Sequence, residues 1–199
     1  MNRPPADMSP AQFFEEWLPA QLPASKASGE ISVRFTLEGE GGGTWRLAIG
    51  PSGMTTTRDD DRPVDVGIRQ TVADWRAITT GEAGEAGATS LTPPQAAPTD
   101  LLFLDRATQQ VVKQGKGTIR FEVTGYNGRT WALAVKLGPD AGQVGDQADA
   151  TISVDAETYG AILARTLPAP AAYFSGKIKL SGDMNLAMQL GMALMPRLS

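Results

Sequence analysis

Hydrophobic positions recur along this chain in two spacings, and each spacing occurs twice. Phe13, Phe14, Trp17 and Leu18 fall at helical intervals, as do Leu101, Leu102, Leu104 and Val111, which predicts an amphipathic helix at the start of each half. Strict alternation follows. Val33-Arg-Phe-Thr-Leu37 and Thr44-Trp-Arg-Leu-Ala-Ile49 read as two strands joined through Gly41-Gly-Gly43. In the second half Ile119, Phe121 and Val123 share one strand face, as do Trp131, Leu133 and Val135, and Tyr126-Asn-Gly128 between them is a strong hairpin signal. A third strand is predicted around Ala150, Ile152 and Val154. It ends at Asp155, which reads as the N-cap of a helix carrying Glu157 in its first turn and Tyr159, Ile162 and Leu163 beyond.

The two halves align with each other. Val33–Gly39 lies over Ile119–Gly125, and Thr44–Ile49 over Thr130–Val135, at an offset of 86 residues. Val64–Ile68 lies over Ala148–Ile152, and Trp75–Ile78 over Tyr159–Ile162, at an offset of 84. A near-constant offset over separate segments is the signature of an internal repeat. The reading is a tandem duplication with a boundary near residue 96: a truncated first copy over 1–95 and a complete second copy over 96–199.

The copies diverge after the helix that follows the third strand. The first passes into Gly81-Glu-Ala-Gly-Glu-Ala-Gly87 and Thr92-Pro-Pro-Gln-Ala-Ala-Pro98, a linker by composition. The second continues through Pro168-Ala-Pro170 into a strand, Lys177-Ile-Lys-Leu180, and a final helix apolar on nearly every side. Four of the chain's seven methionines (Met184, Met188, Met192, Met195) lie in that helix. On a helical wheel they form one stripe about 80° wide, with Leu186, Leu190 and Leu194 forming another on the far side. Two apolar stripes predict two apolar contacts, one with the sheet and one with something else. Methionine suits a contact of variable shape because it is unbranched and polarizable.

Composition narrows the chemistry. The chain of 199 residues has a net charge of −4, no cysteine and no histidine. Disulfides, thiolate zinc sites, His-based acid–base catalysis and Ser-His-Asp triads are therefore excluded. No Lys/Arg track points to nucleic acid. No apolar run is long enough for a membrane-spanning helix, and the N-terminus lacks the apolar core of a signal peptide. The expectation is a soluble cytoplasmic protein, and its Ala, Gly and Pro richness is compatible with a GC-rich bacterial genome.

The second copy resembles the sterol carrier protein type-two (SCP-2-like) lipid-binding family. Ala148-Asp-Ala-Thr-Ile-Ser-Val154, Tyr159-Gly-Ala-Ile-Leu163 and above all Tyr173-Phe-Ser-Gly-Lys-Ile-Lys-Leu-Ser-Gly-Asp-Met-Asn-Leu-Ala-Met-Gln-Leu190 carry the resemblance. It implies an α+β fold, with a mostly antiparallel sheet of about five strands covered by helices on one face. It also implies a hydrophobic tunnel between the layers that takes a fatty acid, acyl-CoA, sterol or phospholipid, with no catalytic residue, cofactor or metal. The residues assigned to that tunnel are Phe121, Trp131, Leu133, Ile152, Tyr159, Ile162, Leu163, Tyr173, Phe174, Ile178, Leu180, Met184, Met188, Met192 and Met195, with the Met-rich helix as wall and gate. Transient membrane contact is compatible with that role. The first copy lacks the Gly-Lys strand and the final helix, so it is expected to hold no ligand.

Other signals in the chain have plainer readings. Asp59-Asp-Asp61 has the charge for a hard cation but follows a threonine run in an expected loop, so it reads as a solvated cluster. Ser175-Gly-Lys177 and Gly115-Lys-Gly117 fail the phosphate-loop spacing. Lys177 and Lys179 alternate outward from Ile178 and Leu180, as a solvated face or as an attraction for a carboxylate or phosphate head group. Asp65 and Asp149 recur in both copies, which argues for a turn or backbone role. Two alternatives to lipid binding stand. One is a scaffold or homodimerisation module with a collapsed pocket, its first copy offering an unpaired sheet edge. The other is an enzyme using Asp, Glu, Tyr or Lys as acid and base.

Overall fold

The computed structural model describes residues 4–5, 7–21, 29–79, 106–126, 128–138, 140–164 and 166–189. The alternating runs form strands as their spacing requires. In β1 (Ile31–Glu38) the buried Ile31, Val33 and Leu37 face the same way as Trp45, Leu47 and Ile49 of its antiparallel partner β2 (Gly43–Gly50). β3 (Gly53–Arg58) pairs with the outer side of β2. This corrects the loop expected there. The Thr55-Thr-Thr57 run is β-branched and suits an edge strand, but only Met54 packs on the core, so no alternation marks it.

β4 (Val66–Thr71) runs parallel to β1. β5 (Gly117–Tyr126) and β6 (Arg129–Leu137) form the second hairpin, β7 (Ala150–Asp155) lies parallel to β5, and β8 (Ile178–Gly182) closes antiparallel on β7. The first half joins the second through β4 and β6, where Val66–Arg69 pair antiparallel with Leu137–Ala134. The sheet order is β3-β2-β1-β4-β6-β5-β7-β8. The expected sheet of about five mostly antiparallel strands is thus corrected to eight strands of mixed sense. The physical reason is the bare edge of β4. An unpaired row of backbone groups is costly, and β6 satisfies it, fusing what read as two sheets.

Within each half the pattern is the same. β2-β1-β4 and β6-β5-β7 share their order and pairing senses, and Phe35 opposes Ile68 as Phe121 opposes Ile152. The Asp65 carboxylate accepts the Ser32 N–H at 2.8 Å, and the Asp149 carboxylate accepts the Thr118 N–H at 2.7 Å. In return the carbonyls of Ser32 and Thr118 accept the N–H of Asp65 and Asp149 at 3.0 and 2.8 Å. Both recurring aspartates tie a crossover to the start of a strand. The hairpins differ: Phe35 opposes Trp45, whereas Phe121 opposes Leu133, and β5 carries an irregularity between Val123 and Tyr126.

The helices bury their apolar sides against one face of this sheet. The N-terminal segment comprises α1 (Pro10–Gln12), a π-helical turn over Phe13–Trp17, and α2 (Leu18–Gln21). Ser9 and Gln12 cap it reciprocally. The wider turn lets the consecutive Phe13 and Phe14 both point inward. α3 (Val72–Thr79), α4 (Arg106–Gln114), α5 (Ala156–Leu163), α6 (Ala169–Phe174) and the described part of α7 (184–189) follow. Phe13, Phe14, Leu18, Trp75, Val112, Leu186 and Ala187 form one core with the apolar faces of the strands.

The opposite face is polar and is crossed by the connections. Arg34 on β1 donates to the carbonyls of Asp60 and Arg62 at 2.7 and 2.8 Å and to that of Gly142 at 3.2 Å, holding a connection from each half. Gly67 of β4 sits under the β6–β7 connection so closely that a Cβ there would lie 1.7 Å from the Ala141 carbonyl oxygen.

Candidate ligand site

The strand residues expected to line a tunnel lie in register across four strands. Leu133, Phe121, Ile152 and Leu180 are direct neighbours on β6, β5, β7 and β8, and Trp131, Val123, Val154 and Ile178 form the adjacent row. Above the second row, Trp131 packs with Ala77 of α3 and Tyr159 of α5. Burial pushes the Tyr159 phenol up to about 12, so it stays neutral at physiological pH. Ile162 is buried in the same helix, while the side chain of Leu163 lies outside the described residues. Asp155 caps α5, accepting the Thr158 N–H at 2.7 Å, as the sequence pattern predicts. Those hydrogen bonds from Thr158 hold its carboxyl below the usual carboxylate range.

α7 has two sides of different character. Asp183 opens it, accepting the N–H groups of Asn185 and Leu186 at 2.9 and 3.0 Å. Leu186 and Ala187 are buried against the sheet, where Leu186 closes on Gly117 of β5. Met184 and Met188 keep 42% and 45% of their surface exposed. The leucine side therefore carries the packing and the methionine side faces outward. Met192 and Met195 lie outside the described residues. Tyr173 of α6 is half-buried, whereas Phe174 beside it is 85% exposed and does not face the sheet.

The matching space in the first half is filled with rings. Phe14 stacks on Trp45 at 4.8 Å and Phe13 on Trp17 at 5.3 Å, and Phe13 meets Trp75 edge-on at 5.4 Å. The Trp45 indole N–H donates to Glu15 at 2.8 Å, which satisfies its one polar group. Each buried ring contributes about 2–3 kcal/mol of transfer free energy, so opening this space for a ligand would be costly.

A second, polar cleft of about 130 Å³ lies where β4 and β6 part after Arg69. Arg69, Gln70, Asp74 and Arg120 line it. Arg69 is engaged by Glu38 at 2.7 Å and Asp146 at 2.6 Å. Burial raises the Asp74 carboxyl above its ordinary value, opposed by hydrogen bonds from the Thr71 hydroxyl and the Ala132 backbone. Gln70 Oε1 is buried without a hydrogen-bond partner. Sequence reasoning missed this cleft. Its one trace is Gln70, a polar residue at an inward position of the alternating Val66, Ile68, Gln70 run. The Asp59-Asp-Asp61 cluster is no open acidic site, since Asp60 chelates Arg62, with its carboxylate accepting the Arg62 Nε–H at 2.9 Å. That contact holds Asp60 well below the ordinary carboxylate range.

The family match falls in the second half of the chain. Residues 99–195, just under half of the chain, match the SCP-2 sterol transfer family. The human hydroxysteroid dehydrogenase-like protein 2 is 34% identical over 89 residues, which are 43% of this chain and 21% of that protein. Its bovine counterpart is 32% identical over 89 residues, with the same coverage. This chain spans about a fifth of the length of these curated relatives. Among solved structures, sterol carrier protein 2 like 2 from Aedes aegypti aligns at 26% identity and a TM-score of 0.32, covering 44% of this chain and 88% of that one.

Proposed function

We propose that this protein is a non-enzymatic carrier that binds the apolar part of a lipid between the sheet and helices of its second half. The observation that carries the reading is the match of residues 99–195 to a sterol transfer family. The sidedness of α7 supports it. Leu186 and Ala187 anchor the helix, while Met184 and Met188 present an adaptable apolar surface without a packing role of their own. The ligand classes that fit are fatty acid, acyl-CoA, sterol and phospholipid, and the tunnel residues named from the sequence are the proposed lining, except Phe174, which is 85% exposed and does not face the sheet. Each buried methylene is worth about 0.8 kcal/mol, so a tail of about a dozen supplies roughly 10 kcal/mol against association costs of about 4 kcal/mol or more.

The test is titration with a fluorescent fatty acid. Met184→Gln with Met188→Gln should weaken binding at least tenfold while leaving the melting temperature within a few degrees, because both side chains are half-exposed. Unchanged affinity in a folded double variant removes α7 from the site. Failure of the native chain to bind any of the four ligand classes removes the carrier reading. The dehydrogenase in the names of the longer relatives belongs to those proteins. The match covers a small part of their length, and we read the shared part as the carrier.

We also infer that the two halves, divided near residue 96, arose by duplication. The shared strand order, the equivalent Phe–Ile pairs and the equivalent aspartate ties support it. Only the second copy is proposed to hold ligand, because rings occupy the space in the first. The scaffold alternative drew on a free β4 edge, and that edge is taken by β6.

A further inference from the structure

We propose that Phe174, with Lys177 and Lys179, docks this protein on an anionic lipid bilayer. Phe174 keeps 85% of its surface in water, which forgoes most of the burial a phenylalanine ordinarily finds. The exposure does not come from a frayed end. α6 closes in a Schellman motif in which the Lys177 N–H donates to the Ala172 carbonyl and the Gly176 N–H to the Tyr173 carbonyl, both at 2.9 Å. Gly176 supplies the required left-handed backbone at φ 74°. Ala172 behind the ring is fully buried and Tyr173 is half-buried, so the turn is pinned from within while the ring points out.

What surrounds the ring selects the partner. Ala171, Ser175 and Gly176 are exposed and small. A protein hot spot needs a closed rim of larger side chains that excludes water around its anchor; among the described residues Tyr173 meets the ring on one side at 5.6 Å, and these small neighbours leave the rest open. Insertion into a bilayer interface needs only the ring itself. Lys177 precedes the edge strand β8 and Lys179 lies on it, both exposed, with Lys179 on the polar face opposite Leu180 and Ile178. Aromatic rings flanked by lysines are the side chains that sit at the boundary of an anionic leaflet. Asp155 lies close enough to Lys177 to feel its charge, and Asp183 is exposed at the far end of β8. With the net charge of −4, these make the attraction local to one corner. One ring and two lysines give weak, reversible docking, which suits a carrier that must leave again. In that respect the proposal rests on the lipid-binding reading above.

The chain has no cysteine, so single labels can be placed cleanly. Ser175→Cys carrying an environment-sensitive fluorophore reports on this corner with Phe174 intact, and Ser52→Cys on the β2–β3 turn is the control. Vesicles of phosphatidylcholine with about a third phosphatidylserine should blue-shift the Ser175 label and leave the Ser52 label unchanged. Adding Phe174→Ser should lower partitioning at least tenfold. Lys177→Gln and Lys179→Gln should each lower it about fivefold, and neutral vesicles should bind less. Equal shifts at both labels, partitioning insensitive to Phe174→Ser, or a Ser175 shift that follows protein concentration without lipid would each overturn the proposal, the last by assigning the corner to a second copy. Fatty-acid binding without vesicles is measured alongside. If Phe174→Ser abolishes it in the folded protein, the ring lines the ligand site and the docking role fails. If the native chain docks but binds no lipid ligand, the carrier reading fails and docking survives.

Discussion

Asp155 closes β7 and opens α5 with a single carboxylate, which takes the N–H and the hydroxyl of Thr158. Replacing an N-cap aspartate by alanine costs about 1 kcal/mol, so Asp155→Ala should lower stability by that order in urea denaturation at neutral pH. Because its folded pKa is depressed, the charge-dependent part is present above the ordinary value of 3.8 and is lost as pH falls through the lower, folded value. Asp155→Asn keeps an acceptor but no charge, so its deficit against the native chain should shrink as pH falls below that range. Asp74 carries the opposite sign. Its pKa is raised by burial, so its contribution favours folding only while it is protonated and is lost as pH rises through the folded value. Asp74→Asn should therefore raise the melting temperature at pH 7 relative to the native chain and have no such advantage at pH 3. Both aspartates are plain in the sequence, but only Asp155 follows a local pattern that announces its role. The burial of Asp74 depends on where β6 comes to lie, which no local pattern carries.

At the scale of elements, alternation and turn chemistry located six of the eight described strands and the alignment of the two halves added β4, because each of the seven has an inward apolar set. β3 escaped because an edge strand needs no such set. The registers and the π-helical turn were also illegible, since backbone pairing and cross-layer packing decide them. The close seat of the β6–β7 connection on β4 gives a sharp test. Gly67→Ala would press a methyl into the Ala141 carbonyl and the Val144 side chain. Either strand or connection must then shift, and the expected cost is more than 2 kcal/mol, read from the denaturation midpoint. Arg34→Ala should cost a similar amount through three lost carbonyl contacts, and Arg34→Lys should recover little, because an ammonium cannot span acceptors on both connections.

For the molecule as a whole, the alignment of the two halves was visible in the sequence but the fused sheet was not, because nothing in either half alone says that β4 and β6 pair. Trp45 and Trp75 report on the first half and Trp131 on the second. If the sheet makes them one cooperative unit, urea unfolding followed by far-UV circular dichroism and by tryptophan fluorescence should give one coincident transition. A fragment spanning residues 99–199 would bare the β6 edge beside Val135 and Leu137. It should self-associate in size-exclusion chromatography where the full chain does not, and a well-behaved monomeric fragment would show that the seam is dispensable.

The seam also sets an order of events during synthesis. β4 is finished at Thr71 and its partner β6 begins at Arg129. At about 5–20 residues per second the ribosome needs roughly 3–12 s to supply the missing strand. For that interval the nascent first half carries a bare strand edge and the buried-to-be Val66 and Ile68. A chaperone that shields β edges would find its target here, and slowing translation between the two strands should increase aggregation of the newborn chain.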